Sequence, residues 1–243
     1  MSLPILETAT YELTLPSIDQ KVKYRPFLVK EEKVLMMAME SGNQSEIKTA
    51  LKDIVHACTF GTVNVSALPT FDLEYVFLQI RAKSVGEIAK IKIRCPDDNE
   101  TFANVDLDLS KVEVLVDDSH TNQIKLNDNM TIVMKYPTID SVDAQTDANN
   151  MKTEQLFDIV GNSIHQIING EEVHNAKDYT KEELQKFIES LTSVHFGKIQ
   201  EFFTSMPALK HEVEVTNPKT NITSKVTLSG LADFFQSPSP TIA

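Results

Sequence analysis

Asp72 and Glu74, within the stretch SALPTFDLEYVFLQIRAKS that runs from Ser66 to Ser84, are the closest this chain comes to two carboxylates that could divide acid and base roles. Such a pair works only when an apolar pocket raises the pKa of one member while the other stays ionised. The pattern puts both on an exposed polar strip with no such pocket beside them, so carboxylate-dependent hydrolysis is the weakest reading of the chain. For metal chemistry there are two knuckles to consider. The segments KIKIRCPDDNETFANVDLDL and HEVEVTNPKTNITSKVTLSG each set a Pro-containing polar turn between two alternating strands. In a zinc ribbon each turn would carry C-x-x-C, because a tetrahedral site draws two thiolates from each knuckle. Here the first has only Cys95, with Asp98 where a second thiolate would fall, and the other has none. His56 and Cys58 stand two apart on a helical stretch and face different ways, which makes a poor chelate. The remaining histidines, His120, His165, His174, His195 and His211, are scattered. No G-x-S-x-G, H-E-x-x-H or Gly-rich phosphate loop occurs in a chain with only 7 glycines. These observations predict no catalytic residue, no cofactor and no metal site.

The stretch that carries the two carboxylates is also the strongest structural signal. Pro69 suits a first helical turn, and Asp72 and Glu74 favour the positive end of a helix dipole, so a helix is predicted from about Thr70 to Ser84. Leu73, Val76, Phe77 and Ile80 make one apolar stripe; Phe71, Tyr75, Leu78 and Ala82 make a second. A helix apolar on two faces is packed from two sides. Only Asp72, Gln79 and Lys83 form a polar strip. Ahead of this helix, Tyr11–Leu15 and Lys21–Tyr24 alternate as a hairpin, and a helix follows from about Lys30 to Ser41, stopped by Gly42. Its middle, VLMMAM, is apolar almost all round, which fits either burial or a soft contact surface. Asn43 with Glu46 caps a third helix whose single stripe is Ile47, Leu51, Ile54, Val55 and Cys58.

Beyond the central helix the period changes. Ile88–Arg94 with Phe102–Leu109, and Ile124–Leu126 with Met130–Lys135, read as hairpins, and Asp140–Asn150 as a loop. Helices return from Met151, where Leu156, Val160, Ile164 and Ile167 give the stripe of one closed by Asn169-Gly170. Thr180 and Glu183 make a capping box for another, and Phe196, Ile199, Phe203 and Met206 mark a third that stops at Pro207. A closing hairpin, His211–Thr216 with Ser224–Leu228, precedes a short packed segment at Leu231–Phe235. The predicted class is α+β: an N-terminal hairpin plus a three-helix unit, a β-rich middle, a second three-helix unit and a closing β-hairpin. The corresponding boundaries are 1–86, 87–137, an acidic linker at 138–150, 151–235 and a frayed tail at 236–243.

Composition narrows the function classes. A net charge of -12 with no compensating basic cluster argues against nucleic acid, whose phosphates need a basic face. Lys21, Lys23 and Arg25 alternate along a strand in the way of a solvated face. Neither a basic leader with an apolar core nor a run of about 20 apolar residues is present, so no membrane association is expected and Cys58 and Cys95 are read as reduced thiols.

Three segments then resemble a known family. TYELTLPSIDQKVKYRPFLVKEEKVLMMAMES (10–41), SALPTFDLEYVFLQIRAKSVGE (66–87) and VTLSGLADFF (226–235) resemble the baseplate hub proteins of T4-type contractile-tailed bacteriophages. The resemblance implies a hub subunit or hub-assembly factor that works by contact with other hub or tail proteins. It implies no reaction, no cofactor and no small-molecule substrate, a place in the host cytoplasm during assembly, and a place in the virion if the protein stays in the particle. Two other readings stand beside it: a zinc-ribbon-derived adaptor that has lost its ligands, and a cell-wall hydrolase using Asp72 and Glu74. For a protein that assembles with others, Phe27, Met36, Met37, Met39, Phe202, Phe234 and Phe235 are the candidate contact residues, because aromatic and methionine side chains supply adaptable area. Arg81, emerging from an apolar helix, completes the set as a seeker of a carboxylate.

Overall fold

The computed structural model describes residues 6–141 and 153–234. In chain order the elements are β1 (Tyr11–Leu15), β2 (Gln20–Tyr24), α1 (Val29–Ser41), α2 (Gln44–Cys58), α3 (Thr70–Val85), β3 (Ile88–Arg94), β4 (Phe102–Asp108), β5 (Glu113–Leu115), β6 (Gln123–Lys125) and β7 (Met130–Met134). There follow α4 (Thr153–Ser163), β8 (Ile164–Asn169), β9 (Glu172–Asn175), α5 (Lys181–Glu189), α6 (Ser193–Ser205), β10 (Ala208–Thr216), β11 (Thr223–Ser229) and α7 (Gly230–Phe234). Helices beside small antiparallel sheets make the class α+β, as the alternation of periods predicts. Two compact units contain them: one holds residues up to 65, 71–115 and 208 onward, the other 66–70 and 116–207. The expected linker beyond residue 141, the start of the helix at Met151 and the tail at 236–243 lie outside the described residues.

The first unit is organised around α3. All of the two predicted stripes except Tyr75 is buried, and on one side Leu78 and Ala82 join a core with Ile91 and Ile93 of β3, Leu107 of β4, Leu209 and Val213 of β10, and Phe234. On the other side the β1–β2 hairpin lies along it, held at one end by Ser17 and at the other by the Phe27 N–H, which donates to Ser84 Oγ at 2.9 Å. Strand alternation aims Leu13, Leu15, Val22 and Tyr24 inward in the register Leu13↔Val22. Asp72 departs from expectation: it is fully buried, because Ser17, in the turn between β1 and β2, donates both its N–H (3.2 Å) and its hydroxyl to the carboxylate. A short acidic side chain that finds two donors from a neighbouring turn no longer needs water.

The second unit is a four-stranded antiparallel sheet, β6-β7-β8-β9, covered by α4, α5 and α6 around Ile132, Met134, Val160, Ile188, Ile199 and Phe202. Here a predicted helix is corrected. The stripe Leu156, Val160, Ile164, Ile167 does not belong to one helix: α4 stops at Ser163 and Ile164–Asn169 is a strand. Gln166 pairs with Val133 while Ile164 pairs with Met134, so His165 is the extra residue of a bulge. The bulge puts Ile164 and Ile167, three apart, on the same buried face and so imitates the helical period. The β-branched isoleucines and the turn at Gly170, with φ at 61°, complete the β8–β9 hairpin.

Candidate interaction surface

Helix α1 begins on a built turn. The Glu31 carboxylate accepts the Leu28 N–H at 2.7 Å and the Arg25 guanidinium at 2.9 Å, and Arg25 also donates to the Pro26 carbonyl. Burial alone would raise the Glu31 pKa, but Arg25 and the Leu28 N–H outweigh it and hold the carboxyl below its ordinary range. Arg25 is thus a structural partner rather than part of a solvated basic face, a correction to the reading of its alternating neighbours. The helix ends where Gly42 takes φ of 64° and donates to the Met39 carbonyl, a left-handed stop that a side chain would strain. The chain then reverses into α2, whose N-terminus Asn43 caps by accepting the Ser45 N–H at 3.0 Å.

Between those ends α1 buries only Glu31 and Ala38. Seven residues apart, they mark one narrow line of contact. Leu35 is partly buried, and the remaining large apolar side chains face outward: Val29 is 80% exposed, Met37 59%, Met39 50%, Val34 46% and Met36 37%. On helical geometry Val34, Met37 and Ala38 look toward α2, whereas Met36 and Met39 look away. With Ala50 of α2 the former set floors an open groove of about 580 Å³, rimmed by Ser41, Asn43, Ser45 and Thr49 and charged by Glu46 and Asp53.

The other candidate contact residues divide. Phe27 is half-buried at the end of the hairpin, and Arg81 is partly buried on α3, where desolvation lowers its pKa. Phe202 and Phe234 are corrections: both are buried, Phe202 stacked on Tyr136 with ring centroids 5.7 Å apart and Phe234 in the core beside α3, so their area is spent within the chain. Phe235 lies outside the described residues. What the sequence missed is Val29 and the whole α2 rim, whereas Val34 lies in the VLMMAM run that it read as either buried or a soft contact surface; the available signal was an apolar run without a stripe, set against a neighbour that has one.

Three clusters could be mistaken for chemistry. Asp72 and Glu74 both have raised pKa values from burial, Glu74 to about 7, contrary to the expectation that neither is desolvated. Two residues apart on a helix they point about 200° away from each other, and each has its own partner: Ser17 for Asp72, the Leu231 N–H of α7 at 3.4 Å for Glu74. They clamp opposite neighbours onto α3 and form no catalytic pair. His120 meets Ser205 Oγ at 2.9 Å through Nδ1 and Tyr136 OH at 3.0 Å through Nε2. Ser205 already donates its proton to the Glu201 carbonyl at 2.7 Å, so Nδ1 carries the hydrogen and Nε2 accepts from the phenol. Burial lowers the His120 pKa, and with the hydrogen on Nδ1 the ring has no lone pair facing Ser205 to take its proton, so the serine is not activated.

The third cluster joins the two knuckles that the sequence singled out. Asn99 (φ 55°) and Asn221 (φ 60°) occupy matching left-handed positions, each donating its N–H four residues back, to Cys95 and Asn217. The knuckles meet through Asp97, which accepts from Asn217 Nδ2 at 2.9 and 3.0 Å and from Thr220 Oγ1 at 2.5 Å. Neutral donors and one carboxylate occupy the place of a ribbon's thiolates. Cys58 and Cys95 are both buried free thiols, and burial pushes Cys58 up to about 11. Among the described residues no group of three or more His, Cys, Asp or Glu could hold a metal ion, and no helix is long and apolar enough to cross a membrane.

Comparison with known proteins adds one match. The family model described as T4 bacteriophage base plate protein matches residues 8–236. No curated protein and no solved structure matches.

Proposed function

Because the chain belongs to the T4 bacteriophage base plate protein family, we propose that it is a subunit or assembly factor of the baseplate hub, acting through protein–protein contacts while the tail is built. The baseplate role itself is structural and follows from the family. The hub assignment rests on the resemblance of segments 10–41, 66–87 and 226–235 to hub proteins. The observation that carries the contact mechanism is α1, a helix attached along one line that leaves Met36, Met37 and Met39 in solvent. Large apolar side chains kept exposed on an acidic, soluble-composition chain are area reserved for a partner. Its partners are other hub or tail proteins, met in the host cytoplasm.

Co-expression of the tagged chain with the other baseplate proteins of the same phage, followed by native mass spectrometry, tests the reading. A defined complex that resists moderate salt is expected, and its stoichiometry separates a resident subunit from a transient assembly factor. A monodisperse monomer that captures none of them would refute it.

A further inference from the structure

We propose that the groove between α1 and α2 seats an amphipathic helix of another baseplate protein, one whose buried face is apolar and flanked by two basic side chains two turns apart. The proposal rests on the hub-contact reading and names the chemistry of the partner. Val34, Met37, Ala38 and Ala50 supply an apolar floor, and methionine adapts to a helix of irregular profile. Glu46 and Asp53 lie on the same face of α2, seven residues and about 10.5 Å apart along its axis. Both are exposed, and they supply the charge of the lining. An occupant therefore gains by placing lysine or arginine at positions i and i+7 of a helix laid along the groove. A second copy of this chain fits poorly, since a two-fold contact would bring the same acidic rim against itself on molecules that each carry a net charge of -12. Helices α1 and α2 pack against each other, and a third helix laid along the groove would extend that layer.

The test uses the full chain in the complex recovered by co-expression. Met37→p-benzoylphenylalanine, at a side chain 59% exposed, should photo-cross-link to a partner segment, and mass spectrometry of the joined peptide should read apolar residues at helical spacing with bases at i and i+7. In parallel, Glu46→Lys with Asp53→Lys should weaken the complex about tenfold or more and flatten its salt dependence. Because Glu46 also sits in the first turn of α2 beside its cap Asn43, the control is Glu46→Gln with Asp53→Asn, whose free denaturation midpoint should stay in place while the complex still weakens, which shows that the loss lies in binding. A complex that forms but neither links at position 37 nor responds to charge reversal overturns the groove assignment while leaving the hub reading intact. Links to an acidic segment, or to a second copy of this chain, overturn the named occupant. Absence of any complex with the unmodified chain removes both.

Discussion

Helices α1 and α3 read alike in sequence, apolar on more than one face, yet α3 buries eight residues and α1 buries two. The difference is in what their polar side chains hold. On α3, Asp72 and Glu74 point opposite ways and each ties a different neighbour, the β1–β2 turn on one side and α7 on the other. On α1 the one buried carboxylate, Glu31, turns back on its own N-terminus and on Arg25, so it starts the helix without recruiting a second layer. An all-round apolar helix becomes core when its polar residues recruit covers from both sides. When they do not, the same composition becomes surface.

The comparison can be broken most decisively by truncation. Phe77→Ala on α3, at a fully buried ring, should cost about 3–5 kcal/mol in urea unfolding. A loss below about 1 kcal/mol would mean that α3 is not the centre of its unit.

Acid and base should act on the two helices in opposite senses. Glu74 rises to about 7 in the fold from an ordinary 4.5, so the native state holds the proton longer than the unfolded chain does. Its contribution is fully present below pH 4.5 and is lost as pH climbs toward 7, by at most about 3 kcal/mol and less in proportion to its residual exposure. Glu31 is depressed, so its contribution is present above the ordinary glutamate pKa and is lost as pH falls through the folded value. Because Gln mimics the protonated carboxyl, the thermal midpoints of Glu74→Gln and Glu31→Gln between pH 4 and 8 should part from the parent in opposite directions as pH rises, Glu74→Gln above it and Glu31→Gln below it. Parallel curves would show that the two carboxylates share one environment.

Ser17→Ala sharpens the same contrast at smaller amplitude. It removes one of two donors from the buried Asp72 and should destabilise by about 1–2 kcal/mol, and Asp72→Asn should not add the full cost of a second loss if both report one contact. The smallest effect belongs to α1: Met37→Ala should change stability by less than about 0.5 kcal/mol, as its exposed side chain packs little of its own unit. A loss near that of Phe77→Ala would make α1 core and empty the contact reading.

Where local pattern decides, the chain could be read in advance. The α2 stripe from Ile47 to Cys58, the capping box of Thr180 and Glu183, the stop at Gly42 and the register-setting hairpins all come from residues within a few positions of each other. Where distant pairing decides, it could not. The buried state of Asp72 depends on Ser17, 55 residues away, and the meeting of the two knuckles depends on Asp97 and Asn217, 120 residues apart. Ile164 and Ile167 misled because a bulge against β7 lends a strand the spacing of a helix. The contact surface was half legible: methionines name a surface that can adapt, but only the neighbour α2 sets one of them, Met37, with Val34 and Ala38 into a groove.

Strand β5 pairs with β10 through Ala208↔Leu115, across the whole of the contiguous segment 116–207 that builds most of the other unit. On a ribosome adding about 5–20 residues per second, the first unit waits roughly 5–20 seconds between the emergence of β5 and that of its partner. The second unit's sheet and helices can close within that interval. Throughout it α3 has its hairpin but not β10, β11 or α7, so the apolar face that later meets Leu209, Val213 and Phe234 is uncovered. Until segment 208–234 arrives, two apolar helices lie open instead of one, and that segment removes α3 from the pair.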